Sequence, residues 1–208
     1  FSRLTQVGGY TMQVQGLDRA GNLAENPTSI PFFVALRGPA VTSLTIGGSS
    51  AVSHTNDLGE IRAEFVDRSG VGLDFTDDGS SVTVTGPSGP VGGELIVDGS
   101  TLVWTPTVAL SSSGADDGEY TVAVTPVDFA GRAGAGLMRR VIYDSQAPHI
   151  SSAIPADTAL ATTFVNSSIS LVEVVIGDVG MAGLDMDDQT VELARANGSR
   201  VPGRAAHD

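Results

Sequence analysis

The side chains best placed to do chemistry are carboxylates in glycine-rich loops. Asp18 opens the run Asp18-Arg19-Ala20-Gly21-Asn22, and Asp128 opens Asp128-Phe129-Ala130-Gly131-Arg132. Two roles fit an aspartate there. Together with Asn22, Asp18 and Asp128 offer the hard oxygen ligands that calcium takes. Alternatively, each Asp accepts backbone N–H groups and closes a turn whose Gly supplies the positive φ. The two runs share the turn residues but not Asn22, which favours the turn. A further candidate is Asp74-Phe75-Thr76-Asp77-Asp78-Gly79, with Asp74 and Asp78 as calcium ligands. It matches the start of an EF-hand loop, but the twelfth position is Thr85, where a bidentate Glu is required. The parallel Asp185, Asp187 and Gln189 lack the Gly as well. That leaves a looser calcium site, or a solvated loop whose Gly-Leu-Asp anchors Leu73 or Leu184 in a core.

Other chemistries find less support. With 11 Lys and Arg against 24 Asp and Glu, the net charge is −13, which repels phosphate backbones and anionic membranes. Nucleic acid and polybasic-type lipid binding are therefore not expected, nor is membrane insertion, for want of a long apolar run; calcium, or plain solubility, is the natural counterpart of that charge. The absence of cysteine excludes disulfides, thiolate catalysis and zinc-thiolate sites. His54, His149 and His207 show no ligand spacing, and no nucleophile elbow, phosphate-binding loop or His-Glu-x-x-His motif is present. Paired carboxylates abound, but acid–base work needs one of them in an apolar pocket, and these loops read as wet. The chain is thus expected not to be an enzyme. Trp104 reads either as a sugar-stacking platform or as core; with aromatics at 5%, an extended stacking surface is hard to build. Asn166 and Asn197 begin glycosylation sequons. No apolar run approaches the roughly 20 residues that span a bilayer.

The carboxylates are positioned by strands that repeat. Tyr10 leads an alternating run into Asp18, and Tyr120 leads another into Asp128; Tyr10 and Tyr120, Asp18 and Asp128, Gly21 and Gly131 all lie 110 positions apart. Period-two alternation marks a strand with one buried face. A period of that length indicates tandem modules. Boundaries fall at Arg37-Gly38-Pro39 and Ser145-Gln146-Ala147-Pro148, where Pro stiffens a linker. Residues 1–36 then read as the last strands of one module, 37–146 as a whole module, and 147–208 as the first strands of another. In the whole module the spacing predicts seven strands: 41–46, 59–67, 81–85, 94–97, 100–105, 120–127 and 137–143, with Asp98-Gly99 as a tight-turn pair. That is the pattern of an immunoglobulin-like sandwich. In the last piece Ser168–Ile176 and Val191–Leu193 mirror earlier strands. No stretch shows capped helical periodicity. The fold class is all-β: tandem immunoglobulin-like sandwiches, one complete and two partial.

The Gly-x-Tyr lead, the alternating strand, the Asp-x-Ala-Gly turn and the Ala-Pro boundary resemble tandem bacterial immunoglobulin-like domains of large surface and secreted proteins. The residues that carry this are Tyr10, Asp18, Ala20, Gly21 and Asn22, then Tyr120, Asp128, Ala130, Gly131 and Pro148. Arg132 departs from the family's usual Asn. The resemblance implies an extracellular or cell-surface spacer, stalk or adhesive segment whose partners are adjacent modules and a surface ligand or glycan. Alternatives are an accessory module of a secreted hydrolase, binding polysaccharide, and an assembly subunit whose end pieces complete one another in trans.

Overall fold

The computed structural model describes residues 4–154, 171–185, 187, 190–195 and 197–202, which form strands and loops with no helix among them. Among these residues no helix is long and apolar enough to cross a membrane. The strands in chain order are β1 (Gly8–Val14), β2 (Thr28–Val34), β3 (Ala40–Ile46), β4 (His54–Thr55), β5 (Ile61–Val66), β6 (Ser81–Gly86) and β7 (Gly89–Val91). They continue with β8 (Gly93–Asp98), β9 (Thr101–Pro106), β10 (Gly118–Thr125), β11 (Leu137–Tyr143), β12 (His149–Ile154) and β13 (Glu173–Gly177).

A β-sandwich occupies the middle of the chain. One sheet has the order β3-β5-β9-β8 and the other β4-β11-β10-β6-β7. Neighbours are antiparallel except β4, which runs parallel to β11. Alternation decides which side each residue takes. Along β10, Tyr120, Val122 and Val124 are buried while Glu119 and Thr125 are exposed. Opposite them, Ile61, Ala63 and Phe65 of β5 and Leu102 and Trp104 of β9 complete one continuous core. Each large aliphatic side chain fully buried there contributes about 1.5–3 kcal/mol. Trp104 is 3% exposed and packs in this core, so it offers no sugar-stacking surface.

The nine strands between Ala40 and Tyr143 exceed the seven expected by β4 and β7, edge additions of two and three residues. Such short runs carry too little alternation to stand out. The hairpin of β8 and β9 also differs in detail. Asp98 pairs with Thr101, so the turn's central residues are Gly99 and Ser100 rather than Asp98 and Gly99. Gly99 has φ +61° and Ser100 has no positive φ, which is the requirement of a type II′ turn.

The end pieces repeat parts of this sandwich. β1 pairs with β2 so that Tyr10 faces Phe32, as Tyr120 faces Val141 between β10 and β11. β12 pairs with β13 through a bulge between Ile150 and Ser152; β3 and β5 share a bulge between Val41 and Ser43. The extra residue is tied alike in both: Thr42 Oγ1 donates to the Glu64 carbonyl at 3.2 Å, and Ser151 Oγ to that of Val175 at 3.1 Å. Val191–Leu193 forms no strand; it enters a narrow hairpin closed by an Ala194–Arg200 bridge and a 2.8 Å bond from Val201 N to Leu193 O. The start of the expected strand Ser168–Ile176, the sequon at Asn166, Gln189 and His207 lie outside the described residues.

Close packing of β6 on β10 yields a test. A Cβ on Gly86 would sit 2.6 Å from Cε1 of the buried Tyr120 ring. Gly86→Ala is expected to lower stability by about 1–3 kcal/mol, the usual cost of overpacking, measured by denaturant unfolding. An unchanged midpoint would mean the ring is not held there.

Candidate functional site

The aspartates of the repeated turn face inward, onto their own backbone. Asp18 Oδ1 accepts N–H bonds from Ala20 at 2.9 Å and Asn22 at 2.8 Å, and Oδ2 accepts the Asn22 side-chain amide at 2.8 Å. Asp128 Oδ1 accepts the same pair of backbone bonds, from Ala130 at 3.0 Å and Arg132 at 2.9 Å. In both, the Asp N–H reaches the carbonyl of the fourth residue on, and the Gly N–H returns to the Asp carbonyl. Gly21 and Gly131 have φ of +91° and +72°, values that L side chains rarely adopt. For exposed Asp18, the N–H of Asn22 and then its side-chain amide hold the carboxyl below its usual range.

The difference at the turn's last position has a cost. Asp128 is fully buried, and its Oδ2 has no hydrogen-bond partner, because Arg132 stands where Asn22 supplies an amide. Arg132 reaches away instead, donating from Nη1 to the Leu36 carbonyl at 3.3 Å. It thereby ties this turn to the segment that follows β2. Gly38 and Gly134 let the two segments approach, since a Cβ on either would overlap the other's backbone neighbourhood, at Ala133 and Pro39 respectively.

The Asp74 loop packs beside the Asp128 turn through backbone rather than carboxylates. Asp74 N donates to Val127 O at 2.9 Å and Phe129 N to Gly72 O at 3.1 Å. Ser80 Oγ donates to Val127 O at 3.0 Å and accepts from Val127 N at 2.8 Å. The Asp74 carboxylate accepts the Thr76 N–H at 2.9 Å and its hydroxyl at 2.7 Å, bonds that hold it below the usual carboxylate range. Asp78 is exposed on the same loop, and the twelfth position, Thr85, lies within β6 paired to Thr121. Asp18 and Asn22 sit on one loop, Asp128 on a second and Asp74 and Asp78 on a third. Among the described residues no three His, Cys, Asp or Glu side chains gather as a metal-holding group. Calcium takes six to eight oxygens; the Asp18 and Asp74 carboxylates and Oδ1 of Asp128 already accept N–H or O–H donors.

A residue missed by sequence reasoning ties the end of β11 to a loop 38 residues on. Asp144, directly after β11, is 8% exposed; Oδ1 accepts the Gln146 N–H at 2.9 Å and Oδ2 accepts that of Ala182 at 2.6 Å. The N–H of Ala182 and then that of Gln146 hold the Asp144 carboxyl below its usual value, against the opposing pull of burial. Gly180 lies against this carboxylate so closely that any Cβ there would overlap it. The only signal in the sequence was adjacency to the Ser145–Pro148 boundary, since the partner loop lies 38 residues away.

No protein-family model matches the chain, and no curated protein matches it. Among solved structures, the crystal structure of PcoC, a methionine-rich copper resistance protein from Escherichia coli, is similar over 51% of this chain and 98% of its own, at 18% identity and a TM-score of 0.38. A likeness at that level transfers nothing to this chain.

Two outcomes follow. Arg132→Asn is expected to give Asp128 Oδ2 an amide partner and raise stability by about 1 kcal/mol in chemical unfolding; a loss would show that the Arg132–Leu36 tie matters more. At Asp144 the folded pKa lies below the unfolded value of 3.8. Its contribution is therefore complete above about pH 4 and lost as pH falls through the folded pKa. Amide chemical shifts of Ala182 and Gln146 should move together in an acid titration, and Asp144→Asn should remove that coupled step. Independent movement would contradict the shared carboxylate.

Proposed function

We propose that this chain is a non-catalytic spacer or stalk segment of a larger extracellular or cell-surface protein, built from tandem immunoglobulin-like modules of the bacterial surface type. The observation that carries this reading is the junction at Asp144, where a linker carboxylate accepts a backbone N–H from the unit that follows. An array that must keep its reach needs junctions that resist bending, and a short linker with a hydrogen-bonded stop supplies one.

The strand order supports the immunoglobulin-like part. β3-β5-β9-β8 opposite β11-β10-β6 follows the A-B-E-D and G-F-C arrangement of that fold. Tyr120 donates its hydroxyl to the Asp116 carbonyl at 2.8 Å, and Tyr10 donates to that of Gln6 at 3.0 Å, as a tyrosine corner does. The use of acidic side chains as turn acceptors fits a structural role better than catalysis. The accessory polysaccharide-binding reading loses its one aromatic candidate to the core.

Small-angle scattering on the wild type and on Gly180→Ala tests the proposal. The wild type should give a maximum dimension well beyond that of a single compact globule of 21.2 kDa, and the variant a broader distance distribution. A wild type that scatters as a compact globule would sink the stalk reading.

A further inference from the structure

Of the four strands that end a sheet in the sandwich, β8 alone is open. β4 and β7 are two and three residues long, and β7 carries Pro90, features that blunt an edge against further pairing. β3 is longer, but its Leu44 and Ile46 are buried. β8 is six residues long and exposed at every one. Leu95, Ile96 and Val97 are 44%, 57% and 49% exposed, three apolar side chains in a row on an edge that no described strand pairs. The register fixes which groups are free. Thr107 N donates to the Gly92 carbonyl at 3.0 Å, and the pairing runs unbroken from Gly93–Pro106 to Asp98–Thr101. Antiparallel pairs alternate in their hydrogen bonding. Glu94, Ile96 and Asp98 therefore bond β9, and the backbone N–H and C=O groups of Gly93, Leu95 and Val97 point to the open side.

Side chains alternate as well. Leu95 and Val97 stand opposite the buried Trp104 and Leu102, on the core face, yet remain half exposed at its margin. Glu94, Ile96 and Asp98 take the outer face. Across β5, β8 and β9, Arg62 is the one cation, against Glu64, Glu94 and Asp98. Arg62 is already engaged, 3.1 Å from Asp98 and 3.6 Å from Glu60. A second copy is a poor occupant of this edge. Two β8 strands laid antiparallel, Ile96 opposite Ile96, would set Glu94 opposite Asp98 twice, and like charges directly opposite are destabilising. The net charge of −13 adds repulsion at longer range. The same carboxylates attract a cation. We infer that the β8 edge receives an extended segment of a partner protein in which apolar and basic side chains alternate. Its backbone bonds the free groups of Gly93, Leu95 and Val97. Its apolar side chains cover Leu95 and Val97, and its Arg or Lys side chains lie beside Glu94 and Asp98. The two carboxylates thus select such a partner against a second copy. The inference goes beyond the spacer role and does not depend on it.

Fluorescence anisotropy tests it with a labelled peptide that alternates Val and Arg, beside a counterpart that alternates Val and Glu. The wild type should bind the basic peptide saturably and leave the acidic one free. Leu95→Pro removes an N–H that β9 does not use and sets a ring in the path of an incoming strand. It should weaken the basic peptide by about tenfold or more. Glu94→Arg combined with Asp98→Arg, both at exposed positions, should reverse the preference, so that the acidic peptide binds and the basic one does not. Thermal unfolding checks that each variant keeps its sandwich, and the charge-reversed variant decides the matter if Leu95→Pro does not. A wild type that ignores the basic peptide would overturn the inference. So would a folded Leu95→Pro that binds it as before, which would mark general attraction to an acidic surface, or a charge-reversed variant with unchanged preference. Light scattering covers the remaining alternative: a wild type heavier than 21.2 kDa that returns to that mass in Leu95→Pro would make a second copy the occupant and overturn it too.

Discussion

Backbone N–H groups at the turns of a sandwich have to find acceptors, and the arrangement of this chain depends on how they do so. Where a strand ends, its next few donors point away from any ladder. Here aspartates collect them: Asp18 and Asp128 at the repeated turn, Asp67 for Ser69 and Gly72, Asp74 for Thr76, Asp178 for Gly180, and Asp144 for Gln146 and Ala182. At Asp67 burial pulls the carboxyl upward, but bonds from the Ser69 hydroxyl and from backbone N–H groups outweigh it and leave its pKa lowered. The strongly acidic composition is thus put to local use: a charged acceptor makes a stronger bond than a neutral one.

The second dependence is burial of one face of each strand. A one-residue slip along β10 would expose Tyr120, Val122 and Val124 together, so register and core specify each other. The same logic explains the ends of the chain. Their described strands preserve the alternation, the bulge and the tyrosine bond of the sandwich, while their apolar side chains stay exposed. Equivalent residues are consequently dry in one place and wet in the other.

The fold was largely legible because alternation is a local property. Runs such as Ser81–Thr85 and Tyr120–Thr125 announce both their structure and their dry side, and the spacing of Tyr, Asp and Gly announces the repeat. What stayed hidden was non-local. β4 is defined by its pairing with β11, β7 by its pairing with β6. Asp144 acquires its partner from a loop 38 residues on. The orphaned oxygen of Asp128 follows from Arg132 turning toward Leu36, which no spacing rule encodes. For the calcium candidates, sequence showed which side chains have oxygen to offer; only coordinates show which donors already use it.

Asp18 and Asp128 hold their turns closed by accepting backbone N–H groups. Through-hydrogen-bond scalar couplings in an isotopically labelled sample, recorded with chelator present, test it most directly. Couplings are expected from the Asn22 and Arg132 amides to the side-chain carboxyl carbons of Asp18 and Asp128, unchanged when calcium is added. Absent couplings, or couplings that vanish as calcium binds, would contradict it.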